Sequence, residues 1–463
     1  MAPSRYDAIV IGSGQAGPSV ATRLAGGGAR VALIEREHLG GTCVNDGCMP
    51  TKTLVASARA AHIARRAADF GVVIGGPVSV DLAAVKARKD AIVAQSQANL
   101  ARWLDATPGL DLHWGHARFV GPNAVEVAGR VYEAPRIFIN VGGRAALPDW
   151  PGIDRVPLLT HTTLLELDRL PEHLVVIGAS YIGLEFAQIY RRFGARVTVL
   201  EHAARPLANE DEEVSREVQR MLEAEGVRFH LAVRDAMVSA NRLRVQVEFN
   251  DEQGPQWLEA SHLLAAVGRR PNTDDLGLEH AGIATDARGF IVVDDELRTN
   301  VPGVWALGDV NGRGAFTHTS YNDHEVVLAN LLDDQARRVS DRIPAYALFT
   351  DPPLARIGLT DSQARALGRP VLAGTLPMSR VGRARERSET QGFMRVLVDA
   401  QSERILGATL LGIEADEVVH SLLDAMAAGA SYNVIRRTVH IHPTVSELIP
   451  TLLGNLHPLE PLP

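Results

Sequence analysis

The stretch Ala8-Ile9-Val10-Ile11-Gly12-Ser13-Gly14-Gln15-Ala16-Gly17 decides the fold. A short apolar strand runs directly into three glycines at the G-x-G-x-x-G spacing, and an Ala-rich helical pattern follows to Leu24. Such glycines let the backbone turn tightly and approach a pyrophosphate, which rests on the helix N-terminus. The next strand, Val31-Ala32-Leu33-Ile34, ends at Glu35, an acid placed to accept from ribose hydroxyls.

The same order returns once. Leu174-Val175-Val176-Ile177 leads into Gly178-Ala179-Ser180-Tyr181-Ile182-Gly183, a helix pattern through Phe193, a strand Val197 to Leu200, and Glu201 at the same distance from its first glycine. Ser180 replaces the middle glycine, so a less close backbone approach is expected there. Glu201 should repel a 2′-phosphate, which favours NAD(H), while His202 and Arg205 nearby keep NADP(H) possible. Three further apolar runs end in glycine: Arg136 to Val141 before Gly142-Gly143, His262 to Val267 before Gly268-Arg269-Arg270-Pro271-Asn272, and Gly303 to Leu307 before Gly308-Asp309. Each fits a buried strand delivering backbone to a ligand. Asp309 suits either a cofactor hydroxyl or a turn.

Between the two units lie the only two cysteines of the chain, in Gly40-Gly41-Thr42-Cys43-Val44-Asn45-Asp46-Gly47-Cys48-Met49-Pro50-Thr51-Lys52. Pro50 suits a first helical turn, which places Cys48 at a helix N-terminus, where the macrodipole favours a thiolate. A structural disulfide and half of a metal site are the other readings. The first is uncommon inside cells, and the second lacks flanking ligands, so no metal is expected. A redox-active pair fits best.

The chain has 463 residues, 46% hydrophobic and 22% charged, as in ordinary globular proteins of several domains. Its 47 basic and 55 acidic side chains give a net charge of −8, which argues against nucleic acid or an anionic membrane as a main partner. No apolar run approaches a membrane span. Met1 to Arg5 leads straight into the first strand rather than into a secretory signal, which makes the cytoplasm the default location. From about Ala345 the texture changes. Leu348 to Gly358, Gly392 to Val398, Ile405 to Leu411 and a helical stretch Asp416 to Ala428, closed by Gly429, read as an α+β domain without a nucleotide motif.

With the cysteine pair, both fingerprints and Gly308-Asp309 in place, nearly the whole chain resembles the flavoprotein disulfide reductases: dihydrolipoamide dehydrogenase, glutathione reductase and mercuric reductase. The resemblance implies an α/β fold of two Rossmann-like dinucleotide-binding domains and a C-terminal α+β dimerisation domain. Residues 1–150 and 273–344 would bind FAD, 151–272 the pyridine nucleotide, and 345–463 would form the homodimer interface. The implied cofactor contacts are Gly12, Gly14, Gly17, Glu35, Thr42, Lys52, Gly143 and Asp309, with Gly178, Ser180, Gly183, Glu201 and Gly268. Cys48 would lie against the flavin in a charge-transfer complex, and Cys43 would attack the substrate. Lys52 and Glu185 look like the ion pair beside the flavin.

The tail His440-Ile441-His442-Pro443-Thr444-Val445-Ser446-Glu447 holds a histidine, the side chain suited to proton transfer near neutrality, and a carboxylate able to orient it. By the resemblance His442 is the acid/base and Glu447 its partner, reaching the cysteines of the other subunit; His440 is supportive. The expected substrate is a small disulfide. Ser180, the texture of Thr317 to Val326, Pro50 to Leu54 and Gly142-Gly143-Arg144 are similar to the mercuric-reductase-like branch, some of which reduces oxidants or metal ions in stress defence. The absence of cysteine from Gly454 to Pro463 argues against Hg(II) handling. Arg380, Arg383, Arg385 and Arg387 line an anionic-substrate route or, as Glu386 and Glu389 between them suggest, form a solvated loop.

Overall fold

The computed structural model describes residues 3–241 and 244–460. Both fingerprint strands sit in the middle of five-stranded parallel sheets. In the first, Ala8–Ile11 lies between Ile137–Ile139 and Val31–Glu35, with Val304–Ala306 and Leu110–Trp114 at the edges. In the second, His173–Ile177 lies between His262–Ala265 and Arg196–Leu200, flanked by Leu158–Leu159 and Arg228–His230. Each fingerprint strand is therefore where the strand order reverses, the crevice in which open α/β sheets bind ligands. Both strands are buried along their whole length, as continuous apolar runs with helices on both faces should be.

The two units repeat in atomic detail. Gly12 and Gly178 take left-handed φ values of +97° and +107°. A Cβ on Gly17 would stand 2.1 Å from the Gly12 carbonyl oxygen, and one on Gly183 the same 2.1 Å from that of Gly178. Only glycine lets helices Gly17–Gly26 and Tyr181–Phe193 pack so closely on their strands. Ser180 has φ −97°, open to any residue, so the missing middle glycine imposes no backbone strain. Gly17→Ala is accordingly expected to push its helix off the turn and to weaken, roughly tenfold or more, retention of the FAD that the resemblance implies there, read as flavin absorbance remaining after gel filtration.

The third unit is a six-stranded antiparallel sheet in the order Ala345–Leu348, Leu354–Gly358, Ile405–Leu411, Phe393–Asp399, Val371–Pro377, His457–Pro458, covered by helix Ala415–Ala427. Leu348 to Gly358, one run in the sequence, is two strands joined by a turn through Phe349 to Pro353. That turn packs against Lys52 and Glu185. Helix Leu82–Asp105 and the three-stranded sheet Arg234–Asn241, Arg244–Asp251, Gly254–Ala260 add to the pattern expected from sequence.

Candidate functional site

The carboxyl ends of both parallel sheets open into one continuous cleft of about 2480 Å³, lined by Gly12, Glu35, Cys48, Lys52, Glu185 and Glu201 among others. A site for one small ligand measures about 300–1,000 Å³, so the cleft has room for two dinucleotides. Glu35 and Glu201 are held alike. One oxygen of Glu35 accepts from the Ser13 N–H at 3.0 Å and its hydroxyl at 2.6 Å, the other from the Glu37 N–H at 2.9 Å. One oxygen of Glu201 accepts from the Ala179 N–H at 2.6 Å, the other from the Ala203 N–H at 2.8 Å. Each acid thus ties the glycine turn to the end of the next strand and fixes where a ribose would lie.

Gly143, Gly268, Arg269 and Asp309 meet on the cleft wall. Strand Gly143–Ala145 pairs antiparallel with Arg269–Pro271, and the Arg269 Nε donates to Asp309 at 3.2 Å. Burial raises the Asp309 pKa while Arg269 opposes that shift. The glycine turns beside them fit a dinucleotide such as FAD on a steric observation. A Cβ on Gly12 would lie 2.4 Å from the Asn140 carbonyl oxygen, and one on Gly41 would lie 2.7 Å from the Gly14 Cα. Only glycine therefore lets these turns pack on the neighbouring backbone and form the tight cradle that lines this end of the cleft. Thr42 lines the same cleft. Asn140, buried and reaching the Gly12 carbonyl at 3.4 Å, escaped the sequence reading.

The thiols face this space. Cys48 opens helix Cys48–Arg65, as Pro50 suggested, and Cys43 lies in the short helix Gly41–Asn45. Both are free and half-buried. Hydrogen bonding from Cys43, then from Thr317 at 3.0 Å, and the charge of Lys52 hold the Cys48 thiol well below its ordinary pKa, against burial and Glu185. The Cys43 thiol is pushed far up by its bond to Cys48 and by burial. Thr317 had no signal in sequence beyond its place in an already noted run.

Lys52 Nζ meets Glu185 Oε2 at 2.7 Å, joining the cysteine helix to the second fingerprint helix. The other Glu185 oxygen accepts from the Phe349 N–H at 2.9 Å, and Lys52 lies 4.5 Å from the Phe349 ring. His442 Nδ1 is 2.7 Å from Glu447 Oε2. The His442 side chain is 80% exposed, Val439 and Ile441 beside it are almost bare, and none of the three lines the cleft of its own chain. Arg383 donates to the Pro443 carbonyl at 2.6 Å and so braces the His442 loop, while Arg387 pairs with Glu414 at 2.8 Å. Among the described residues no helix is long and apolar enough to cross a membrane.

The family described as pyridine nucleotide-disulphide oxidoreductase matches residues 6–323, and its dimerisation domain matches residues 344–453. The chain is 36% identical over 460 residues to the probable pyridine nucleotide-disulfide oxidoreductase RclA of Escherichia coli, covering 97% of this chain and 99% of that one. It is 35% identical over 460 residues to a dihydrolipoyl dehydrogenase of Cupriavidus necator, covering 96% of each. The solved Cu(II) complex of the HOCl-induced flavoprotein disulfide reductase RclA from Escherichia coli superposes with a TM-score of 0.88 at 35% identity, covering 96% of this chain and 99% of that one.

Proposed function

Because the chain belongs to the pyridine nucleotide-disulphide oxidoreductase family, being an FAD-dependent, NAD(P)H-driven disulfide reductase with a dimerisation domain, we propose that its electrons leave through the Cys43 and Cys48 thiols to a small disulfide. The observation that carries this is the setting of the two thiols: both line the cleft, and Cys48 opens its helix 3.0 Å from the Thr317 hydroxyl, one turn before Lys52. FAD binds residues 1–150 and 273–344, the nicotinamide cofactor binds 151–272, and 345–463 pairs the subunits. When bound, FAD supplies the two-electron exchange between nicotinamide and dithiol.

The chain's own residues do the rest. Cys43 gives its proton to His442 of the partner subunit, and the thiolate attacks one sulfur of the substrate, breaking the disulfide and forming a mixed disulfide. The imidazolium, held by Glu447, returns that proton to the leaving sulfur. The Cys48 thiolate then attacks the Cys43 sulfur, closing the internal disulfide and releasing the second thiolate. Exposure of His442 away from its own cleft supports a site shared between subunits.

NADH is the preferred donor. Glu201 has both oxygens fixed at the ribose end of the turn, where its charge repels a 2′-phosphate, and Arg205 turns one nitrogen to the Ala208 and Glu210 carbonyls, each at 3.0 Å. A second reading, reduction of reactive oxidants or metal ions, is favoured by the HOCl-induced and Cu(II)-bound description of the RclA relative. Anaerobic oxidation of NADH and NADPH should be measured against lipoamide, glutathione disulfide, other low-molecular-weight disulfides, Cu(II), Hg(II) and hypothiocyanite. The expected result is strong turnover with one disulfide and kcat/KM at least about tenfold higher for NADH. Turnover with metal ions or oxidants alone moves the enzyme to the second reading.

A further inference from the structure

The Lys52–Glu185 pair does not stand alone. The turn Phe349-Thr350-Asp351, from the antiparallel sheet, is gripped by three successive turns of helix Tyr181–Phe193. Glu185 takes the Phe349 N–H. Gln188 accepts from the Asp351 N–H and donates to the Asp351 carbonyl, both at 2.8 Å. Arg192 donates to that carbonyl at 3.0 Å and to the Asp351 carboxylate. From the cysteine helix, two turns beyond Lys52, Arg59 donates to the other carboxylate oxygen of Asp351. Every polar atom of this buried aspartate is therefore bound by one of the two helices that carry the redox ion pair. Glu225, 2.7 Å from Arg192, and Glu389, 2.8 Å from Arg59, extend the network, so that two guanidiniums sit among three carboxylates.

We propose that Asp351 is a positioning residue for the Cys48 thiolate: by locking the Phe349 N–H onto one oxygen of Glu185, it leaves a single oxygen for Lys52 and so keeps the ammonium charge available to the sulfur. The groups facing that sulfur are Cys43, Thr317, Lys52 on its own helix and Glu185 on the neighbouring one. In the dimer the proposed acid/base, His442 of the partner subunit, joins them. Lys52 favours the thiolate and Glu185 opposes it. When the turn is released, both Glu185 oxygens become free to engage Lys52. The ammonium is drawn off the sulfur and the thiolate loses support. Through this turn the antiparallel sheet sets the charge at the thiol.

The inference rests on the reading of Cys48 given above, and one titration separates the two. In FAD-loaded dimer carrying Cys43→Ser, whose hydroxyl still donates to Cys48, the rate of Cys48 alkylation by iodoacetamide is followed against pH. A parent midpoint at the ordinary thiol value overturns the reading of Cys48 and the role of Asp351 together. With a depressed parent midpoint, Asp351→Asn should raise it by about one pH unit, slowing alkylation about tenfold below both midpoints. Gln188→Leu, which removes the backbone clamp and keeps the Asp351 charge, should move it the same way and serves if Asp351→Asn does not fold. In a Glu185→Gln background neither change should have a further effect. A midpoint that stays at the parent value in the folded variants, or a full shift that persists without the Glu185 charge, overturns the proposal.

Discussion

A Cys43→Ser enzyme should still have its FAD bleached by NADH, yet reduce no disulfide, with turnover down by roughly three orders of magnitude or more. The asymmetry follows from the thiol environments. Cys48 is the sulfur held by Thr317 and Lys52 beside the second fingerprint helix, and those contacts survive the substitution. In the proposed mechanism Cys43 is the sulfur that must meet the substrate. Serine keeps a hydrogen-bond donor for Cys48 but supplies no sulfur to form a mixed disulfide. Stopped-flow reduction at the flavin band and steady-state disulfide turnover measure the two halves separately. Wild-type turnover in this variant would sink the dithiol relay.

The second large effect is at His442. Its ring is oriented by Glu447 at 2.7 Å, whose side chain is only 13% exposed, and the loop is braced through Pro443 by Arg383. Such a fixed imidazole is worth about 10²- to 10⁴-fold as a general acid/base. His442→Ala should therefore lose that factor in disulfide turnover while NADH still reduces the FAD at the wild-type rate. Glu447→Gln should lose less, since the ring stays and only its orientation and charge support weaken. Equal losses in both half-reactions would place the histidine elsewhere in the mechanism.

Much of this architecture was legible in the chain because it is local. A strand, glycine turn, helix, strand and acid occupy consecutive residues, and their chemistry is written in short-range sterics, which is why both fingerprint units form where the pattern placed them. Cys48 at a helix start was legible for the same reason. The Lys52 to Glu185 contact spans 133 residues and was visible only through resemblance. Thr317 lies 269 residues from Cys48, and nothing in its neighbours announces the contact. The turn at Phe349 to Asp351 lies inside the stretch Leu348 to Gly358, which the sequence marked only as part of the α+β domain, because its partners on helix Tyr181–Phe193 are more than 150 residues away. Helix Leu82–Asp105 buries only Leu82, Lys89 and Leu104, too weak a stripe to stand out by periodicity. Arg383 sits in a run whose charge alternation matches a solvated surface, and its role depends on a carbonyl 60 residues away.

The most direct test of the shared dithiol and histidine site is a purified heterodimer of one Cys43→Ser subunit and one His442→Ala subunit. One of its two sites then combines an intact Cys43 with an intact His442 from the other chain. Disulfide turnover at about half the wild-type rate per dimer is predicted. A heterodimer as inactive as either parent would contradict the account.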